Sequence, residues 1–542
     1  MERKNNSLIV QGSILALAGI LTKIIGFIYR IPMANMLGEQ GNGIYSVAFG
    51  IYNVALTLSS YSLPMAVSKL MSSRLAEKQY KNAFLLIKRA FLFALIAGLC
   101  SFSVLFFASD WLEALYSRTG LAYPLKVLAP TTFIVALLGV FRGYFQGHSN
   151  MLPTALSQIL EQIVNAIVSI VATYLFMKSF AESPDVSAIG ASGATMGTLA
   201  GAFGALVMMS LFFVTQLSRI RQSVNEDGCA IESKQKTYAD IITTMLPIIL
   251  SQTIYQIGFT VDDLIFGNVM AVKGVDDVSV SSMQGVFNTQ YTQLVNLPVA
   301  IATALAASAL PSIVNLFVQG KHEEKNKKTT AVIKLTMTIA IPSAVGLAVL
   351  ARPIITILFP NLVTWRETAI MLLQYGSSAC VFYSLSTITT SILQGNNRMK
   401  TPVLNSLIAF IIHVIIIYPL LKFTDLSIYA LLIGDITFPL TISLFNLIAL
   451  KKKAGFSAKA KCTFILPLFA SLIMGVVAWG VNGLLLYIGA NSIIALGVSL
   501  VMAVALYGVL VLLLQIFTDD ELPELPMGTK ILKLSKKIQR DK

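Results

Sequence analysis

Lys23 and Arg30 lie within one apolar stretch, 8–36, that is long enough to cross a bilayer. At a helical rise of about 1.5 Å per residue, about 20 residues cross the roughly 30 Å hydrocarbon layer. Lys23 then falls near the midplane and Arg30 towards the far side. Gly19, Lys23, Gly26 and Arg30 recur at i, i+4, i+7 and i+11, which is one face of a helix. A cation at the centre of a spanning helix costs roughly 2.5 to 3.5 kcal/mol on insertion scales, so it belongs against water or a partner. Two glycines beside two cations leave room for an anionic ligand, which makes Lys23, Gly26 and Arg30 candidate substrate contacts.

The acids within apolar segments are the natural counterparts. An overlay of the two halves of the chain places Arg30 opposite Asp262, with Asp263 adjacent, and suggests an outer gate; the alternative is a static ion pair that neutralises buried charge. Lys23 has no acid near it in sequence, and the alternative to an anionic ligand is an ion pair with Glu161 or Asp435. Either acid would otherwise serve as a coupling-ion site or be satisfied within a bundle. His413, alone on an apolar segment, reads as a hydrogen-bonded packing residue.

Polar stripes mark three further segments: Ser251, Gln252, Tyr255 and Gln256; Gln284, Asn288, Thr292 and Asn296; and Ser377, Ser384, Thr387, Ser391 and Gln394. Hydrogen bonds between helices explain any one stripe. Three of them suggest a hydrated wall suited to sugar hydroxyls, with Tyr255 and Asn288 as candidate contacts. Gly190, Gly193, Gly197, Gly201 and Gly204 instead read as a stripe for close helix packing.

The elements that carry these residues are membrane helices. The chain has 542 residues, 56% hydrophobic and 12% charged, against about 25% charged for an ordinary soluble chain. The net charge of +14 would fit a nucleic-acid partner if it were clustered. It is spread over alternate loops, Arg74 to Arg89, Arg219 to Lys236, Lys321 to Lys328, Lys451 to Lys461 and the tail from Lys530. That is the positive-inside pattern, with both termini cytoplasmic and Lys23, Arg30 and Lys69 read as the cations inside spans. The acids Glu39, Asp110, Asp185, Asp276 and Asp277 fall on the opposite side. Four scattered cysteines and three separated histidines offer neither metal spacing nor a nucleophile pair. No nucleotide motif or paired catalytic carboxylates stand out, so the reading is a carrier, not an enzyme, with no cofactor beyond coupling to the membrane potential or an ion.

Apolar windows predict an all-α polytopic protein of fourteen transmembrane helices, the first at 8–36, the second at 44–72 and the last at 491–517. Two pseudo-symmetric six-helix lobes are expected at 1–221 and 239–452, joined by a cytoplasmic linker at 222–238. The halves repeat: Ile25-Gly26-Phe27 matches Ile257-Gly258-Phe259, and Gln146-Gly147 before Met151 and Pro153 matches Gln394-Gly395 before Met399 and Pro402. A parallel repeat of this kind places a central site between lobes. Two extra helices occupy 453–517, and the tail 518–542 sets Ile531, Leu534 and Ile538 among lysines, as an interfacial helix on anionic lipid would.

Thr22-Lys23-Ile24-Ile25-Gly26-Phe27, Leu310-Pro311-Ser312 with Gly320-Lys321-His322-Glu323-Glu324, Ile341-Pro342-Ser343-Ala344-Val345 and Lys400-Thr401-Pro402-Val403 resemble the lipid II flippases. These form part of the polysaccharide transporter branch of the multidrug/oligosaccharidyl-lipid/polysaccharide exporter superfamily, and the likeness is to Gram-positive members of the stage V sporulation protein B type. The resemblance implies a V-shaped pair of lobes in a bacterial plasma membrane. It also implies alternating access, a cationic cavity for an undecaprenyl-pyrophosphate-linked saccharide, and a groove for its lipid tail at 461–517. Membrane lipids and cell-wall synthesis enzymes are the implied partners. Lys23 falls where the family has a cavity arginine. The chain departs from the family pattern at Tyr29, with Arg30 one residue displaced, and at Gln293, where the family has a further arginine. A drug/cation antiporter of the same superfamily would want acids on the first span. A membrane-embedded glycosyl ligase or polymerase would want a large outer loop.

Overall fold

The computed structural model describes residues 2–454, 460–518 and 521, and every regular element among them is helical. The tail residues Ile531, Leu534 and Ile538 lie outside the described residues. Among the described residues ten helical stretches are long and apolar enough to cross a membrane, one of them the 60-residue stretch Leu17–Ala76, which spans more than one helix. The chain packs as two units, Met1–Gly285 and Val286–Lys542.

The first unit holds α1 (Glu2–Ser59), α2 (Leu63–Ala76), α3 (Tyr80–Phe107), α4 (Ser109–Leu115) and α5 (Ala122–Gly147). It continues with α6 (Leu152–Ser179), α7 (Val186–Glu226), α8 (Lys234–Val272) and α9 (Asp277–Gly285). Gly38, at φ 69°, breaks α1 between the first two predicted spans; this is left-handed backbone that glycine adopts without a side-chain penalty. Small residues set the spacing of the helix pairs. A Cβ on Gly193 would lie 2.8 Å from the Ala172 carbonyl oxygen, and one on Gly201 would lie 2.5 Å from that of Glu161. The glycine stripe of α7 is therefore a seam for α6. On α5, Gly143 and Gly147 admit Val67 and Met71 of α2 in the same way, over a core that includes Leu63, Leu86 and Leu138. The packing boundary at Gly285 lies later in the chain than the 222–238 linker, because α8 packs against α1, α2 and α3.

That linker is docked. Arg74 on α2 bonds Glu232 and Asp240, Asn82 donates to the Ala230 carbonyl at 2.9 Å, and Arg89 donates to the Glu232 carbonyl at 3.0 Å. Arg89 also bonds the Thr237 hydroxyl.

The second unit opens with a π-helical turn, Val286–Tyr291, followed by α10 (Thr292–Val318), α11 (His322–Val349), α12 (Ala351–Leu358), α13 (Arg366–Gly376) and α14 (Ala379–Gly395). It closes with α15 (Lys400–Phe423), α16 (Ile428–Ala454), a second π-turn (Lys461–Ile465), α17 (Leu466–Tyr487) and α18 (Ser492–Leu513). The segment 368–393, read as one span, is two helices that meet at Ser377 and Ser378.

The turns that follow the two matched Gln-Gly pairs close alike. After Gly147, Ser149 takes φ 58° and Asn150 N–H returns to the Phe145 carbonyl at 3.0 Å; after Gly395, Asn397 takes φ 55° and Arg398 N–H returns to Leu393 at 2.9 Å. Both close a helix with one left-handed residue and reopen it near a proline.

Candidate functional site

The first half of α1 presents three faces. Leu17, Leu21, Ile24 and Ile28 are exposed along one stripe, Ala18, Tyr29 and Met33 are buried along a second, and Lys23 is exposed. At about 3.6 residues per turn, Lys23 stands roughly a third of a turn from each of the other two. The greasy exposed stripe, with exposed Ile20 at its edge, is the face suited to lipid, and the lysine stands off that edge. A Cβ on Gly19 would meet nothing within 4 Å, whereas one on Gly26 would lie 3.7 Å from Gln162 Oε1 on α6. Space is open beside Lys23 and narrows at Gly26. Among the described residues Lys23 forms no ion pair.

Glu161, one of the two suggested partners of Lys23, is taken by a residue that the sequence reading left out. Arg142 on α5 reaches Glu161 Oε2 at 2.7 Å and Ser157 Oγ at 3.1 Å. The signal was available: α5 and α6 are joined by the short turn at 148–151, and antiparallel helices bring residues near such a turn to similar depth. Arg142 lies in the helix Ala122–Gly147 and Lys334 in His322–Val349, both among the helices long and apolar enough to cross a membrane, so they join Lys23, Arg30 and Lys69 as cations on such helices.

Arg30 is half-buried, with its guanidinium 5.5 Å from the centre of the Phe49 ring and within electrostatic reach of the Tyr29 and Tyr45 hydroxyls. A cation over an aromatic face gains about 0.5 to 2 kcal/mol, so aromatic groups hold it where an acid was expected. Asp262 is half-buried on α8. Asp263 is buried and accepts from Gln284 Nε2 at 3.2 Å; the same amide donates to the Asp263 carbonyl at 3.0 Å. Gln284 therefore ties helix to helix, where a cavity wall was expected. Ser384 is likewise buried, so the third polar stripe packs at that position, whereas Ser377 lines a cleft. Asn288 lies half-buried in the π-turn, Gln293 half-buried near the start of α10, and Asn296 exposed. Tyr255 lies on α8, with its side chain outside the described residues.

In the second unit Asp435 on α16 is buried and accepts from the hydroxyls of Tyr291 and Tyr383, each at 2.7 Å. His413 packs as the sequence suggests, its Nδ1 3.1 Å from the Gly434 carbonyl. A cleft of about 350 Å³ opens between α11, α14 and α17, lined by apolar groups such as Ala344, Val345, Val381, Phe464 and Leu468.

Comparison with known proteins agrees with this architecture. Residues 9–317 match the family described as polysaccharide biosynthesis protein. The lipid II flippase MurJ of Bacillus subtilis (strain 168) is 27% identical over 87% of this chain and 88% of its own length. Stage V sporulation protein B of the same organism is 25% identical over 96% and 98%. Among solved structures, the lipid II flippase MurJ in an inward closed conformation matches with a TM-score of 0.66 at 16% identity, over 92% of this chain and 98% of that one. An inward-facing multidrug resistance MATE family transporter matches at 0.64 with 15% identity, over 82% and 99%. The MurJ and MATE proteins among these are a flippase and a transporter, not enzymes. With its helical membrane fold and a family match across more than half its length, the chain is a member of the polysaccharide biosynthesis protein family.

Proposed function

We propose that this protein is a flippase that carries an undecaprenyl-pyrophosphate-linked saccharide from the inner to the outer leaflet of a bacterial plasma membrane by alternating access. The peptidoglycan precursor lipid II is the first candidate cargo; a capsular, teichoic or sporulation precursor is the next. The carrying observation is Lys23: an exposed cation on a helix long and apolar enough to cross a membrane, standing off the apolar exposed stripe of that helix and without an ion pair among the described residues. A diphosphate crossing hydrocarbon loses its hydration, a cost of tens of kcal/mol for an isolated ion in an apolar medium, and a cation beside open space offsets part of it. Arg30, Gly26, Tyr255, Asn288 and Gln293 would extend the headgroup site. Asp262 and Asp263 would serve the outer gate, and the apolar cleft along α17 would take the prenyl chain. No cofactor enters this cycle.

Complementation of a strain depleted of its lipid II flippase, paired with a headgroup-accessibility assay in that strain, tests the proposal. Growth rescue with labelled headgroups at the outer face is expected. Rescue of a different glycolipid pathway with no effect on lipid II would move the cargo to another member of the class.

A further inference from the structure

Two arginines fasten α8 to the earlier helices, one near each of its ends, and their hydrogen bonding differs. The 39 residues of α8 run roughly 58 Å at about 1.5 Å per residue, from the docked linker to the turn before α9. At the linker end, Arg74 uses all three of its nitrogens. Nε and Nη2 both donate to Glu232 Oε2, Nη2 also donates to Asp240 Oδ2 at 3.1 Å, and Nη1 donates to the Leu70 carbonyl at 3.2 Å. Arg89 adds a bond to the Ser233 carbonyl at 3.1 Å beside those to Glu232 and Thr237.

At the far end the turn between α4 and α5 meets α8 and α9. Arg118 of that turn is 2% exposed. Its Nη1 donates to Asp277 Oδ1 at 2.9 Å and to Ser281 Oγ at 3.4 Å, and the Thr119 N–H donates to Asp277 Oδ2 at 3.0 Å. Ser117 Oγ donates to Asn268 Oδ1 at 3.2 Å, and Asn268 Nδ2 donates to the Leu115 carbonyl at 2.9 Å. Gly267 allows this approach, since a Cβ there would stand 2.7 Å from the Tyr116 carbonyl oxygen and 3.0 Å from Arg118 Nη2. A guanidinium carries five N–H donors, and Arg118 pairs only those of Nη1; Nε and Nη2 are buried and have no acceptor among the described residues. Buried donors are normally paired, and each one left over costs free energy. The far end therefore closes at a cost that the linker end does not carry. That cost is relieved where the guanidinium meets water or a second carboxylate. Asp263 is such a carboxylate: it lies one helical turn before Gly267 on α8, a spacing that shares a face, and within electrostatic reach of Arg118.

We propose that Arg118 is a releasable clasp and Arg74 a fixed anchor, so that the α4–α5 turn parts from α8 and α9 at the far end while the linker end stays closed. Arg118 is then a positioning residue that no spacing within its own segment singles out, and its partner Asp277 comes from a turn more than 150 residues later in the chain. In a flippase, this parting opens the headgroup path at the end opposite the linker. That link rests on the flippase reading; the clasp does not.

The experiment uses the full chain in nanodiscs without glycolipid, so its outcome is independent of the cargo. Spin labels are placed on cysteines at two exposed pairs in a background with the native cysteines replaced: Trp111 with Val272 across the far end, and Lys78 with Lys234 across the linker end. Pulsed electron–electron resonance then reads the distance distribution of each pair. Arg118→Ala and Asp277→Asn are each expected to raise a longer-distance population of the far-end pair by at least about fivefold over the labelled parent, with the linker-end pair unmoved. Asp277→Asn keeps the shape of the side chain and one acceptor oxygen, so it carries the test if Arg118→Ala fails to fold. A far-end distribution that Asp277→Asn leaves unchanged, or a linker-end pair that lengthens as much as the far-end pair, overturns the clasp. Flipping by unlabelled Asp277→Asn in proteoliposomes tests the link to transport: a rate at least about threefold different from wild type is expected. A wild-type rate alongside the expected change in distances overturns that link and not the clasp.

Discussion

Lys23 and Arg142 show two ways of carrying a cation inside an apolar helix. Lys23 stands exposed and without an ion pair among the described residues, while Arg142 is neutralised by Glu161 at 2.7 Å with most of both side chains covered. Their variants should therefore fail differently. Lys23→Ala is expected to fold normally and to reduce headgroup flipping at least tenfold in proteoliposomes, with Lys23→Arg retaining most of it; full flipping by Lys23→Ala would remove the proposed role. Breaking the buried pair by Arg142→Ala or Glu161→Ala leaves an uncompensated charge, which costs about 3 to 5 kcal/mol. The double replacement Arg142→Met with Glu161→Leu should recover much of that in thermal unfolding, and additive losses in the double variant would show that the pair acts otherwise. The sequence showed no acid near Lys23 along its own helix and left a partner on another helix open. The identity of the Glu161 partner was not, because helical spacing sorts residues onto faces without saying which face of which helix stands opposite.

At the scale of elements, glycines and a docked loop do the positioning. The α6–α7 seam rests on backbone contact, so Gly201→Ala, whose Cβ would stand 2.5 Å from the Glu161 carbonyl, is expected to lower stability by about 1 to 3 kcal/mol through forced separation; an unchanged melting temperature would mean the seam is slack. The linker 227–233 should respond to acid. Burial pushes the Glu232 carboxyl up, but the hydrogen bond and charge of Arg74 outweigh it and hold it below the usual carboxylate range. Asp227 is held low by the backbone N–H groups of Lys81 and Cys229. Carboxyls depressed in the fold contribute stability above their unfolded pKa of about 4 and lose it as pH falls through the folded value. Hydrogen exchange across 227–233 is thus expected to be slow at neutral pH and to quicken below about pH 4, with Glu232→Gln already faster at neutral pH. Protection that does not vary with pH would contradict this. The sequence marked this stretch as a polar connection between halves; its attachment to α2 and α3 depends on Arg74, Asn82 and Arg89, which are distant in the chain.

For the whole molecule, the proposed cycle moves negative charge outwards, and a membrane negative inside favours that by about 2.3 kcal/mol per elementary charge per 100 mV. Collapsing the potential is expected to slow flipping in energised vesicles, and an unaffected rate would place the driving force elsewhere. The sequence by itself determined the membrane class, the placing of Lys23 and Arg30 on one side of the first helix, the glycine seam and the alike turns after Gly147 and Gly395. Each of these follows from local rules: hydropathy over a bilayer's length, periodicity on a helix, and the backbone freedom or restriction of glycine and proline. The tertiary structure alone decided that Gln284 ties Asp263, that Arg30 lies over Phe49 and that Asp435 shares its oxygens with Tyr291 and Tyr383. Those pairings join segments far apart in the chain, and no spacing within a helix records which distant helix will be its neighbour.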